Sequence, residues 1–133
     1  DRAYIMYTSG STGIPKGSVI RQKSVIRVVR NAGYMNISSE DVLLQLSNYS
    51  FDGSVFDIFG ALLNGAALVL LHKHEVTDPK ALGRLIQDNK VSVFFITTAL
   101  FNVSMALERY FLAVKQHPYT MYEEPTSAWG RTG

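Results

Sequence analysis

The feature that most restricts the fold is an alternation repeated down the chain. Short apolar runs without helical period take turns with longer segments whose apolar residues return every three to four positions. Residues 3–8, 42–46, 66–71 and 91–96 are the short runs. The first of them, Ala3-Tyr4-Ile5-Met6-Tyr7, reads as a buried strand. Between the runs, residues 23–34 carry Val25, Ile26, Val28 and Val29 at helical spacing. Residues 54–63 offer a broad apolar face through Val55, Phe56, Ile58, Phe59, Leu62 and Leu63, with Gly65 as the stop signal. Asp78-Pro79 opens a third helix, a capping residue followed by the imino acid that suits a first turn, and Leu82, Leu85 and Ile86 form its apolar stripe. A fourth helix is predicted over residues 98–114. Strand and helix in regular succession predict an α/β fold: a doubly wound, mostly parallel sheet with helices on both faces. The continuous run 66–71 suits a strand covered on both sides. Sheets of this kind bind ligands beyond the carboxyl ends of their strands, so the chemistry is expected in the loops after Tyr7, Leu46 and Ile96.

The chain has 133 residues, enough for one core, and its 47% hydrophobic and 18% charged residues are those of a globular domain. The net charge of +2 is spread along the chain. There is no clustered basic face with interleaved aromatics, so nucleic acid is not an expected partner. The longest apolar stretch is far too short to cross a bilayer, and no membrane partner is expected. Without cysteine there is no disulfide or thiolate metal site. His72, His74 and His117 do not make a ligand set; the first two read as exposed loop residues, and no metal-binding residue is assigned. No secretory signal precedes the first strand, and the expected location is the cytoplasm. The abrupt start inside a strand is what a piece of a longer protein would show.

The loop after the first strand, Thr8-Ser9-Gly10-Ser11-Thr12-Gly13-Ile14-Pro15-Lys16-Gly17, has the composition of a phosphate cradle. Its glycines let backbone approach a ligand closely, successive N–H groups form an anion-binding concavity, and the hydroxyls of Thr8, Ser9, Ser11 and Thr12 add donors. Lys16 supplies a mobile positive charge behind the rigid Pro15. A Walker loop it is not, because Pro15 stands where that motif needs glycine before the lysine. A flexible turn between strand and helix would explain a generic Gly/Ser stretch, but not glycines, hydroxyls and a Pro-Lys-Gly end together.

This string resembles the signature of the ANL superfamily of adenylate-forming enzymes, which comprises acyl-CoA synthetases, luciferases and the adenylation domains of nonribosomal peptide synthetases. The resemblance implies that Thr8, Ser9, Gly10, Ser11, Thr12, Gly13, Lys16 and Gly17 hold the β- and γ-phosphates of ATP, with Lys16 in the catalytic role of stabilising phosphate charge. It also implies Mg²⁺ as the partner of ATP.

A second string, Asn48-Tyr49-Ser50-Phe51-Asp52-Gly53-Ser54-Val55-Phe56-Asp57-Ile58-Phe59, resembles the amino-acid-activating branch through its Phe-Asp-x-Ser element. There the aspartate, here Asp52, pairs with the substrate's α-ammonium group. A carboxylate at a helix start is favoured by the helix dipole and can bind a cation; the plainer reading makes Asp52 only a helix cap. Asp57 reads as exposed or structural, and Phe51, Phe56 and Phe59 as core. By the resemblance Gly53, Phe56 and Phe95 also line the substrate pocket. An offset of one would put Phe94 in place of Phe95, since only one of two neighbours on a strand faces the ligand.

The implied activity is ATP-dependent activation of an amino acid, expected to be branched aliphatic, as its aminoacyl-adenylate. The adenylate would pass to phosphopantetheine on a carrier-protein domain, beside a condensation domain of the parent synthetase. The rival readings are an acyl- or aryl-CoA ligase of the same superfamily, which would leave Asp52 unpaired, and a non-catalytic remnant. The likeness covers residues 1–106, an adenylation-domain core fragment holding the phosphate loop and part of the pocket. Residues 107–133 are a divergent or truncated tail. There Met121-Tyr122-Glu123-Glu124-Pro125-Thr126-Ser127 only loosely echoes the family's Tyr-Gly-Pro-Thr-Glu segment, and Gly130-Arg131-Thr132-Gly133 resembles the start of its ribose-binding motif. The family's Mg²⁺-holding glutamate has no counterpart in the chain, which by itself is expected to be inactive.

Overall fold

The computed structural model describes residues 1–9, 13–30, 33, 35–97, 120–123 and 129–131. They form two sheets. The first is an antiparallel pair, β1 (Arg2–Thr8) and β2 (Lys16–Arg21), in register from Tyr4↔Ile20 to Thr8↔Lys16. The chain runs on directly into α1 (Gln22–Val29), whose Val25 and Val29 are buried. The second sheet contains β3 (Val42–Gln45), β4 (Ala67–Leu70), β5 (Val93–Thr97), β6 (Thr120–Glu123) and β7 (Trp129–Arg131), in the order β4-β3-β5-β6-β7. All its pairings are parallel except that of β6 with β7. The connections carry α2 (Gly53–Leu62) between β3 and β4, then α3 (Lys73–Thr77) and α4 (Pro79–Asp88) between β4 and β5.

The period-2 alternation of the strands explains why helices cover both faces. On β3, Leu43 faces one way and Leu44 the other; on β5, Val93 and Phe95 oppose Phe94 and Ile96. One cluster joins Leu43, Val93 and Phe95 to Phe56 and Ala61 of α2. The other joins Leu44, Phe94 and Ile96 to Leu82 and Ile86 of α4. Burying each such side chain stabilises by about 1.5–3 kcal/mol. The doubly wound, mostly parallel sheet predicted from the alternation is thus the fold observed. The capping prediction at Asp78 holds as well: its Oδ1 accepts from the N–H groups of Lys80 (2.9 Å) and Ala81 (3.3 Å). At the head of β3, the Ser92 hydroxyl donates to Asp41 (2.8 Å) and accepts from the Val42 N–H (3.0 Å), pinning β3 beside β5.

Several expectations are corrected. The first strand does not join the parallel sheet, and the loop after it leads back into an antiparallel partner rather than into a helix. Residues 16–21 hold only Val19 and Ile20 as large apolar residues, too few to mark a strand by pattern. Nor is β1 buried: Ile5 and Tyr7 are 58% and 66% exposed. The run predicted to be covered on both faces, β4, is an edge strand among the described residues, with Leu70 67% exposed. The helix predicted over residues 23–34 ends at Val29, leaving Ile26 and Val28 exposed. Phe51, read as core, is exposed. His72 and His74 are exposed as predicted; His72 precedes the short α3 as its N-cap, its N–H donating to Glu75 at 2.7 Å, whereas His74 lies on that helix rather than in a loop. The weakly patterned tail contributes β6 and β7. The helix predicted over residues 98–114 lies outside the described residues.

Candidate active site

The phosphate loop is the turn of the β1–β2 hairpin. Thr8 closes β1 and Lys16 opens β2, and the register sets these two directly opposite each other, with Tyr7 opposite Gly17. Thr8, Ser9, Lys16 and Gly17 are all exposed. Gly13 has φ +80°, a conformation that a side chain would strain, so this position of the loop calls for glycine. Gly10, Ser11 and Thr12 lie outside the described residues. A cation and hydroxyls held at the mouth of a hairpin turn can receive an anion, the chemistry predicted for them.

The second part of the site is built where β3 runs out and α2 begins. The turn between them is tied by its own backbone and side chains: Phe51 N–H donates to Asn48 O (2.9 Å), and the buried Ser54 hydroxyl donates to Phe51 O (2.7 Å). This is the local work of the serine in Phe-Asp-x-Ser. Asp52 occupies the N-cap position of α2, yet its backbone is already helical and its carboxylate makes no capping hydrogen bond. The plain capping reading therefore fails, and the carboxylate stands exposed at the helix start.

Gly53 is in close quarters. A Cβ there would come within 2.8 Å of the Ser47 hydroxyl and 3.1 Å of Phe95 Cε1. Phe56, one turn along, is buried in the same cluster as Phe95, whereas Phe94 lies in the cluster on the other face of the sheet. The fold thus gathers Asp52, Gly53, Phe56 and Phe95 at one corner, and of the two neighbouring phenylalanines it is Phe95 that reaches Gly53.

Three residues at this corner were not assigned to the site by sequence. Ser47 abuts Gly53. Tyr4 of β1 stacks on Phe59 of α2, and its phenol is pushed up from the ordinary value first by burial and then by the negative charge of Asp52. Asp57, expected to be exposed or structural, is 0% exposed. Its Oδ2 accepts the Ser47 N–H at 3.0 Å. Burial pushes its carboxyl up to about 6, with the Ser47 N–H, the Ser47 hydroxyl and the Leu46 backbone pulling the other way. A signal for it was present: Asp57 is the lone charge within an otherwise apolar helix, where a carboxylate needs a buried hydrogen-bond partner.

Among the described residues no group of three metal-ligating side chains occurs, and no helix is long and apolar enough to cross a membrane. His72 and His74 stack on each other, centroids 5.7 Å apart, without further ligands.

A parallel sheet wound on both faces thus stands with a hydroxyl- and glycine-rich hairpin loop and, at a strand's end, a carboxylate without a capping bond. The AMP-binding enzyme family model matches residues 1–125, and the chain belongs to that family. Within it, the chain is similar to bacitracin synthase 1 of Bacillus licheniformis, with 63% identity over 103 residues, 77% of this chain. It spans only about 2% of that relative's length. Among solved structures it resembles the Klebsiella oxytoca NpsA N-terminal subdomain in complex with 3-hydroxybenzoyl-AMSN (TM-score 0.70, 26% identity, 99% of this chain and 40% of that one). The fold also matches holo-PA1221, a nonribosomal peptide synthetase protein containing adenylation and carrier (PCP) domains (TM-score 0.79, 23% identity, 99% of this chain and 28% of that one).

Proposed function

We propose that the protein carrying this chain activates an amino acid as its aminoacyl-adenylate for nonribosomal peptide synthesis. The observation that carries the reading is Asp52: a carboxylate at the start of α2 with no capping bond, beside Gly53, Phe56 and Phe95. A free carboxylate above an apolar floor suits an α-ammonium group whose side chain points into the floor. Family membership and the 63% identity to a peptide synthetase support the same reading.

The substrate carboxylate attacks the α-phosphorus of ATP, forming the acyl–phosphate bond and releasing pyrophosphate. The thiol of a phosphopantetheine arm on a carrier domain then takes the acyl group and AMP leaves. The chain's own share is orientation and charge. Asp52 fixes the ammonium group. Thr8 and Lys16, opposite each other at the hairpin mouth, receive the departing phosphates, with Ser9, Gly13 and Gly17 beside them and Gly10, Ser11 and Thr12 completing the loop. Bound Mg²⁺ would add neutralisation of phosphate charge; the described residues include no group of three metal-ligating side chains to hold it.

Phe56 and Phe95 offer the side chain no hydrogen bond, so a polar group there would lose about 1–3 kcal/mol. Each buried CH₂ gains about 0.8 kcal/mol. A branched aliphatic amino acid, isoleucine first, is the proposed substrate; one methylene separates it from valine by only about 1–3 kcal/mol. The test is pyrophosphate exchange into ATP by the complete protein with a panel of amino, fatty and aryl acids. Exchange with aliphatic amino acids, lost in Asp52→Asn, is the expected result. Preference for charged amino acids overturns the pocket reading, and preference for acids without an amino group overturns the amino-acid reading in favour of an acyl or aryl ligase.

A further inference from the structure

We propose that Asp57 is a positioning residue for the amino-acid subsite: its buried carboxylate holds the Ser47 backbone, and Ser47 sets the seat of Gly53 and so of Asp52. The inference rests on the proposed role of Asp52. From the middle of α2 the carboxylate points back to the end of β3 and takes the Ser47 N–H at 3.0 Å, closing the loop that carries Asp52. Ser47 is the residue whose hydroxyl lies 2.8 Å from where a Cβ on Gly53 would stand, with the Phe95 ring at 3.1 Å on the same point. Ser47 and Phe95 therefore converge on one side of Gly53, and a displaced Ser47 backbone changes the packing under the first turn of α2.

The chemistry at Asp57 is unusual for a residue kept only for stability. The side chain is fully buried, and its Oδ1 has no hydrogen-bond partner among the described residues. Among the described residues no cation is paired with it. Of the elements packed on α2, the strands β3, β4 and β5 hold no ionisable side chain, β1 brings the phenol of Tyr4 against Phe59, and Lys23 and Arg27 of α1 are exposed. An apolar residue would fill the same volume without the desolvation cost of a carboxylate, but it could not hold the Ser47 N–H.

The experiment is exchange kinetics on the complete protein, with isoleucine or the fastest amino acid of the panel as probe, for Asp57→Leu, Asp57→Glu, Asp57→Asn and Asp52→Asn. Asp57→Leu should raise the KM for the amino acid about tenfold or more while the KM for ATP stays within about twofold. Asp57→Glu, which keeps the acid but displaces its oxygens by one methylene, should move the same KM in the same direction. Asp57→Asn, whose carbonyl can still accept the Ser47 N–H, should restore most of it. Equal changes in both KM values, or an Asn variant as impaired as Leu, overturn the proposal. If Asp57→Leu does not fold, Asp57→Glu decides: a raised amino-acid KM at constant ATP KM supports the clamp, and an unchanged one overturns it. Asp52→Asn separates the two readings. If it leaves the amino-acid KM unaltered, the assignment of Asp52 has failed; if it raises that KM while the Asp57 variants do not, only the clamp has failed.

Discussion

Tyr4 stacks on Phe59, ring centroids 6.3 Å apart and planes within 14° of parallel. One ring belongs to the strand that leads into the phosphate loop and the other to the helix that begins at Asp52. This contact ties the hairpin that carries the hydroxyl- and glycine-rich loop to the helix that begins at the uncapped carboxylate.

Replacing Tyr4 with leucine keeps apolar bulk but removes the stack, and should cost about 0.5–1.5 kcal/mol of stability. Chemical denaturation of the two proteins measures it. An equal midpoint would mean that the rings touch without tying the hairpin to the helix.

Gly53→Ala should destabilise by about 1–3 kcal/mol through overpacking. Its new methyl group would lie 2.8 Å from the Ser47 hydroxyl and 3.1–3.2 Å from the Phe95 ring. Ser47 is the yielding neighbour, since its hydroxyl can rotate away, and the ring is the firm one. Adding Ser47→Ala should therefore recover part of the loss in unfolding measurements, whereas strict additivity of the two changes would place the strain elsewhere.

Asp57 gives stability a pH dependence of unusual sign. Its carboxyl is raised from 3.8 to about 6 by burial, so the folded state binds the proton more tightly than the unfolded chain. Its contribution is complete below the unfolded value and is lost as pH rises through the folded one, between about 4 and 6, to the extent of about 3 kcal/mol. In Asp57→Asn that slope should vanish. Thermal melts from pH 4 to pH 7 would reveal it as a narrowing of the difference between the two proteins on the acid side.

Asp78→Ala should remove the two N-terminal bonds of α4 at a cost of about 1 kcal/mol. A melting temperature unchanged in the variant would show that water replaces the cap without loss.

Much of the architecture was legible because it is written locally. Asp78-Pro79 marks a helix start by the bonds its own side chain makes. The apolar residues of β3 and β5 mark buried strands because both faces of each need cover. Residues 16–21 escaped notice because an exposed hairpin strand needs no such pattern; its partner, β1, supplies the pairing. The run 66–71 is as apolar as a central strand, yet β4 ends the row of described strands, since neighbours in a sheet are not encoded in the residues of one strand.

The same division runs through the site. The hydroxyl- and glycine-rich string from Thr8 to Gly17 and the Asp52-Gly53 pair are visible by sequence alone, because the close backbone approach and the charge they supply belong to consecutive residues. That the carboxylate of Asp52 is left uncapped, that Phe95 rather than Phe94 meets Gly53, and that Tyr4 lies on Phe59 were decided only by the tertiary structure. So was the burial of Asp57, whose partner Ser47 belongs to the turn before the helix and is brought to it when α2 folds back on β3. Each of these depends on which faces of separate elements come together, and packing between elements, not the order of residues within one, sets that.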